Sequence, residues 1–397
     1  MGLFIPGSSL WPSGPNAGPA QCFLCFPIAT WRFVGLDSRS VGTRPKQPQS
    51  SSTSNGGKQP TLRFLADHLG LSAATISMVV NRAAGAKAIP KKTQRRILDA
   101  ARHFNYRPNF FARSLLRRRT FTVGVIVPEI SDGYGSQVMR GIEEQLLQAG
   151  YFYFVVSHRH RPDLICEYPR LLLDRSVEGL IAVDTPLEEP LPVPVVSVSG
   201  HGRVKGTTNI VLHHGRAARL ALEHLKTLGH RKLAVIKGQQ FSSDTEARWT
   251  AIRGEARRLG LRIDPSLVVA LQGDEPSSFP GEIAARKILA ARNPFTALFA
   301  FNDLAAIGAI RALRHAGLSV PQDVSVVGFD DIPNAEFQNP PLTTVRQPLQ
   351  KMGEIAASAL LARITQNGAK SPNVIYVNPE LVVRGTTAGP HVATREA

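Results

Sequence analysis

The sequence predicts an α/β chain with two architectures in series: an N-terminal three-helix helix-turn-helix domain, then a two-lobed core built on parallel sheets. Three observations carry that expectation. Short segments of helical periodicity occupy residues 61–104. Beyond Arg119, apolar runs alternate with amphipathic helical patterns almost to the end of the chain, as expected for parallel sheets covered on both faces. Positive charge is gathered ahead of that change in pattern.

Residues 1–57 are rich in Pro, Gly and Ser and show no sustained period. Such composition buries too little apolar surface to offset its ordering entropy, so a disordered extension is expected. Cys22 and Cys25 form a C-x-x-C within it, but no second pair or histidine stands nearby to complete a metal site. With Cys166 they are the only cysteines, which fits a reducing compartment, and the cytoplasm is the expected location. The first eighteen residues contain no Lys or Arg and are broken by Pro6, Pro12 and Pro15, so they lack the charged start of an export signal. No apolar run reaches the ~18–20 residues that cross a bilayer.

In the 58–107 domain, Leu62, Leu65, Ala66 and Leu69 share one helical face, and Gly70 stops that helix. Ser72 caps a second helix with Ile76, Val79 and Val80 as its buried face. Pro90 starts a third, carrying Ile97, Leu98, Ala101 and Phe104. A short linker, 108–119, leads to the core, 120–388, and a tail, 389–397. Within the core, strands are expected at 122–127, 151–157, 179–183, 193–198, 232–236, 267–270, 297–300 and 325–328. Helices are expected at 137–149, 216–228, 248–259, 282–291, 304–316 and 352–365. This length suits two lobes, the first about 120–228 and 346–375, the second about 229–345 and 376–388.

The net charge of +17 is unevenly placed. Residues 58–119 hold 14 Lys/Arg and 2 acids, a net of +12, and residues 1–57 add 4 − 1 = +3, leaving +2 for the rest. A basic module joined to a near-neutral body is the electrostatic footprint of a polyanion binder. A short helix after a tight turn, flanked by such charge, has the geometry that enters a major groove.

The series from Thr61-Leu62-Arg63-Phe64-Leu65-Ala66 through Gly70-Leu71-Ser72 to Val79-Val80-Asn81 resembles the LacI/GalR repressor family. The likeness continues through Ile89-Pro90-Lys91-Lys92-Thr93, Tyr106-Arg107-Pro108-Asn109 and Ala112-Arg113-Ser114-Leu115. It implies that Ser72, Thr75, Ser77 and Asn81 position the domain on phosphates, while Ala73, Ala74 and Met78 stand where bases are read. Family members commonly carry a long polar side chain at the third of these positions. Met78 there points to apolar contact with thymine methyls, or to readout shifted to shape and to Arg82, or to partial burial in the helical core. Residues 108–119, with Asn109 and Arg113, resemble the family's hinge helix, and Leu115 matches the leucine that wedges into a central minor-groove step.

From Val123 onward the same resemblance covers an effector core similar to periplasmic sugar-binding proteins. Its landmarks are Arg140-Gly141-Ile142-Glu143, Gly229-His230-Arg231, Phe301-Asn302-Asp303, Gly328-Phe329-Asp330-Asp331 and Pro341-Leu342-Thr343-Thr344-Val345. The implied ligand site lies between the lobes and uses Tyr134, Arg248, Asn302 and Asp330. An acceptor, a two-way amide and a planar donor fork suit a small polar effector such as a carbohydrate. The expected partners are therefore double-stranded operator DNA, a small effector and a second copy of the chain, because one helix-turn-helix reads only a half-site. Helix 137–149 resembles part of the family's dimer interface.

Neither a cofactor nor a metal is expected. Gly133-x-Gly135 lacks the third glycine of a dinucleotide loop, and His158, His160, His213 and His214 lack a third ligand and are expected at the surface. A secreted sugar-binding transport protein would have no use for residues 61–119. A regulator that answers to no ligand is the remaining alternative.

Overall fold

Fully buried strands lie where the sequence places its densest β-branched runs. In the computed structural model the described residues are 60–107, 114, 119–131, 133–200, 204–365 and 372–390. The expected extension, and Asn109, Arg113 and Leu115 of the expected hinge, lie outside the described residues.

The helical domain opens with α1 (Leu62–Leu69), capped by Thr61, whose Oγ1 accepts from the Phe64 amide at 3.1 Å. Gly70 closes it with φ +63°, a conformation in which glycine has no Cβ to clash. Helix α2 (Ala73–Val80) begins at Ser72, whose Oγ accepts from the Thr75 amide at 3.1 Å. A 3-10 turn at Ala84–Ala88 precedes α3 (Lys91–His103). Leu65, Ile76 and Ile97 are fully buried together, each contributing about 2 kcal/mol by leaving water. Gln94 Nε2 donates to the Ala86 and Ile89 carbonyls at 2.8 and 2.7 Å, pinning the 3-10 turn to α3. Leu98 departs from expectation and is 40% exposed. Ile97 and Ala101, one turn apart, set the inward phase of α3, and residue 98 is rotated off it.

The core contains two six-stranded sheets. In the first, β1 (Thr122–Val127), β2 (Phe152–Ser157), β3 (Gly179–Val183), β4 (Val195–Val198), β5 (Thr207–Leu212) and β11 (Val374–Val377) lie in the order β11-β5-β4-β3-β1-β2, all parallel. In the second, β6 (Lys232–Lys237), β7 (Arg262–Ala270), β8 (Ala297–Ala300), β9 (Ser325–Asp330), β10 (Thr343–Arg346) and β12 (Glu380–Val382) lie in the order β12-β10-β9-β8-β6-β7. Only β12 runs antiparallel. The intervening helices are α4 (Gly133–Gln148), α5 (Pro162–Asp174), α6 (His214–Thr227), α7 (Asp244–Leu259), α8 (Phe279–Ala290), α9 (Asp303–His315), the short α10 (Pro333–Glu336) and α11 (Leu349–Thr365).

The chain passes between the sheets three times, at 212–214, 346–349 and 377–380. Helix α6 packs on α7, β10 and β12, so it belongs with the second sheet. The first crossing therefore falls near residue 213, earlier than the expected 228, because contiguity with β5 in sequence does not carry over into space. Helix α11 returns to lie against α4. Their backbones meet at paired glycines: a Cβ on Gly141 would sit 1.9 Å from the Gln350 carbonyl oxygen, and one on Gly353 2.1 Å from that of Val138. Where the linker enters the first lobe, the Glu178 carboxylate accepts from Arg119 Nη2 at 2.8 Å and from the Thr120 and Phe121 amides at 2.6 and 2.9 Å.

Candidate functional site

Parallel strands of both sheets end at one cleft, as open α/β sheets generally place their ligands beyond the strand carboxyl ends. Its empty volume, open mouth included, is about 850 Å³. The structure brings Tyr134, Arg248, Asn302 and Asp330 together on its lining.

Arg248, on α7, is 3% exposed. Its guanidinium lies against the rings of Phe329 and Phe301, 3.7 and 4.3 Å from their centroids, so aromatic faces replace part of its lost hydration. The fork expected to point outward is engaged within the protein: Nη1 donates to the Phe301 carbonyl and Nη2 to Asp244 Oδ2 at 2.9 Å. Asp244 also pairs with His214 Nε2 at 3.3 Å, so His214, expected at the surface, is a buried member of this network.

Asp330 ends β9 and is 6% exposed, with φ +108°. Gln347 Nε2 donates to its Oδ1 at 2.7 Å. Burial pushes its carboxyl well above the usual carboxylate range, with Arg248 pulling the other way. Asn302 caps α9, its Oδ1 accepting from the Ala305 amide at 2.8 Å, which leaves its amide nitrogen as the remaining side-chain group. Tyr134 donates to Ser199 Oγ at 2.8 Å. Burial, with Asp244 and Asp184 nearby, holds its phenol well above the ordinary value.

Sequence reasoning passed over Asp184, which follows β3 and is pushed by burial to about 7, with Asp244 adding to the rise. Ser243 Oγ donates to its Oδ1 at 2.9 Å, and also to the Ser199 carbonyl, while Ser242 Oγ donates to Oδ2 at 3.3 Å. Two first-lobe loops thus hold the start of α7 from the second. An acid directly after an apolar strand was the available signal. The expectation of surface histidines also fails for His158, which is 1% exposed and bonded to Thr185 Oγ1 at 3.1 Å. Burial takes its pKa to about 4. His160 stacks on Phe241 from the opposite lobe, ring centroids 3.7 Å apart.

On the helical domain, Ser72, Ala73, Ala74 and Arg82 are exposed, and Thr75, Ser77, Met78 and Asn81 are half-buried. Asn81 Nδ2 donates to Ser77 Oγ at 3.1 Å, and the Ser72 and Thr75 hydroxyls meet at 2.8 Å. Met78 leans on the 3-10 turn: a Cβ on Gly85 would stand 3.0 Å from its sulfur. Its side chain is therefore partly committed to packing, which a longer polar residue there would not be.

Comparison with known proteins adds the family. A periplasmic binding protein-like domain model matches residues 222–387. The chain is 32% identical to the HTH-type transcriptional repressor PurR of Haemophilus influenzae, over 82% of this chain and 97% of that one. This chain belongs to the LacI/GalR family of transcriptional regulators. A second family member, the HTH-type transcriptional regulator DegA of Bacillus subtilis, is 31% identical over 83% of this chain and 98% of its own. Among solved structures, the lac repressor dimer bound to operator and an anti-inducer superposes with TM-score 0.75 at 27% identity, covering 83% of this chain and all of that one. The CelR–cellobiose complex superposes with TM-score 0.60 at 27% identity, covering 82% and 99%. The helix-turn-helix and the two-lobed parallel-sheet core are thus those of a LacI/GalR regulator. Among the described residues no helix is long and apolar enough to cross a membrane.

Proposed function

We propose that the protein represses transcription as a cytoplasmic homodimer on a pseudo-palindromic operator, and that a small polar ligand held between the lobes changes its operator affinity. The observation that carries this reading is the joining, in one chain, of an exposed, basic-flanked α2 to a cleft lined by Tyr134, Arg248, Asn302 and Asp330. Helix α2 supplies the DNA contacts: Ser72, Thr75, Ser77 and Asn81 on phosphates, with Ala73, Ala74, Met78 and Arg82 facing bases. Asn109, Arg113 and Leu115 contact the minor groove between the two half-sites. Ligand closes the cleft through the Asp184–Ser243 contact, and lobe rotation changes the spacing of the paired hinges. Coupling of this kind is reciprocal, so operator raises or lowers ligand affinity by the same factor.

The test is selection of bound duplexes from a random pool at near-physiological salt, with sequencing of the retained fraction. A two-fold motif with a defined central step is expected. Salt-sensitive retention with no enriched motif would remove the repressor reading. A motif whose affinity no metabolite alters would leave a regulator without an effector.

A further inference from the structure

Among the described residues six carboxylates line the cleft, those of Glu129, Asp184, Asp244, Asp274, Glu275 and Asp330, against a single arginine, and Glu129 pairs outward with Arg159 at 4.0 Å. Both Nη groups of that arginine, Arg248, are engaged, on Asp244 and the Phe301 carbonyl, and only its buried Nε is left without a hydrogen bond among the described residues. The Ser242 and Ser243 hydroxyls and the Ser243 backbone amide donate to Asp184, and Asp330 receives one side-chain amide donor. The second oxygen of Asp330 carries no hydrogen bond among the described residues, although the side chain is more than nine-tenths buried and lines the cleft. Asp274 and Glu275 stand exposed at the mouth without a cationic partner among the described residues.

Four helices, α4, α7, α8 and α9, begin at this cleft, and their N-terminal dipoles would by themselves favour an anion. Three of them already carry an acid in the first turn, Asp244, Glu282 and Asp303, so most of that attraction is answered from within. Phe241, 40% exposed and stacked on His160, offers a ring edge and face to the occupant. Carboxylates beside aromatic faces are the surroundings that an organic ammonium ion prefers.

We propose that the cleft takes a small hydroxylated amine, an amino sugar or a cation of comparable size, with its ammonium group among the unpaired carboxylates. This rests on the effector reading above and specifies the charge of that effector. A phosphorylated sugar would bring negative charge to Asp184, Asp274, Glu275 and Asp330, which form no ion pair among the described residues, and would find both Nη groups of Arg248 engaged. Burial favours the protonated forms of Asp184 and Asp330, and the ammonium displaces those protons. Asp274 and Glu275 draw the cation toward the mouth.

The test uses the full-length protein and a deproteinised metabolite extract of its native host, read by the shift in melting temperature and by operator affinity. The extract is split at neutral pH on a sulfonate resin and on a quaternary-ammonium resin. The active fraction is expected to bind the sulfonate resin and to pass the other. Its dose response should weaken about thirtyfold in Asp330→Asn, as for loss of one partner of a buried charge pair. Asp184→Asn gives a second reading, and asparagine tolerates the left-handed backbone at both positions. Activity that passes both resins, or that only the quaternary-ammonium resin retains, overturns the cation and leaves the effector reading intact. An unfractionated extract without effect overturns the effector reading and the cation with it.

Discussion

Between residues 60 and 107, nine lysines and arginines stand exposed beside two aspartates, whereas the described residues of the cleft gather six carboxylates around one arginine and bury Asp244 and Asp330. The helical domain carries its charge in water, where ions screen it. The cleft carries its charge at low dielectric, where it is felt as raised carboxyl pKa values and as a network through Arg248. The first arrangement suits a polyanion that must be found quickly and released. The second suits a small molecule that must be told apart from others. One chain therefore answers to salt at one end and to protons at the other.

Salt gives the largest separation between them. Operator affinity should fall about a thousandfold or more between 50 and 200 mM salt if six or more phosphates are contacted, while ligand affinity at the buried carboxylates changes far less. Parallel titrations by fluorescence anisotropy and calorimetry measure both, and equal salt slopes would break the comparison. Next in size is Arg248→Ala, which leaves Asp244 without its arginine inside the core. It should cost the core about 3–5 kcal/mol in urea unfolding, with no change in the chemical shifts of residues 60–107.

Asp184→Asn sharpens the contrast through pH. A carboxyl raised to about 7 in the folded state binds its proton more tightly folded than unfolded, so its contribution is present at low pH and is lost as pH rises toward 7. The wild type should accordingly lose melting temperature relative to Asp184→Asn between about pH 5 and 7. A constant difference across that range would show that Asp184 titrates normally. The smallest effect belongs to the other region: Ser72→Ala removes the cap on α2 and should cost about 1 kcal/mol, independent of pH.

What could be read from the sequence divides along a related line. Features encoded locally were legible: the Ser72 cap, the Gly70 stop and the apolar runs of β1, β3, β8 and β9. So was the gathering of Tyr134, Arg248, Asn302 and Asp330, because a family pattern fixes their spacing. Features that depend on distant partners were not. Strand β5 begins Thr207-Thr208-Asn209 and β10 Thr343-Thr344, polar openings that look like loop until the sheet supplies their neighbours. Strand β7 runs from Arg262, ahead of the expected 267, since its exposed start is held only by pairing to β6. The burial of His158 and His214 was missed because their partners Thr185 and Asp244 lie 27 and 30 residues away.

The three passages of chain between the lobes also govern the order in which the protein comes into being. The first sheet has β11 as an edge strand, and β11 leaves the ribosome after every element of the second lobe but β12. From His103 to Val377 is 377 − 103 = 274 residues, or roughly fifteen to fifty seconds at ~5–20 residues per second. Throughout that interval a nascent chain carries a completed reader of half-sites and an unfinished sensor. Such a chain is restrained by valency alone, since a solitary half-site reader has no second arm to hold it in place.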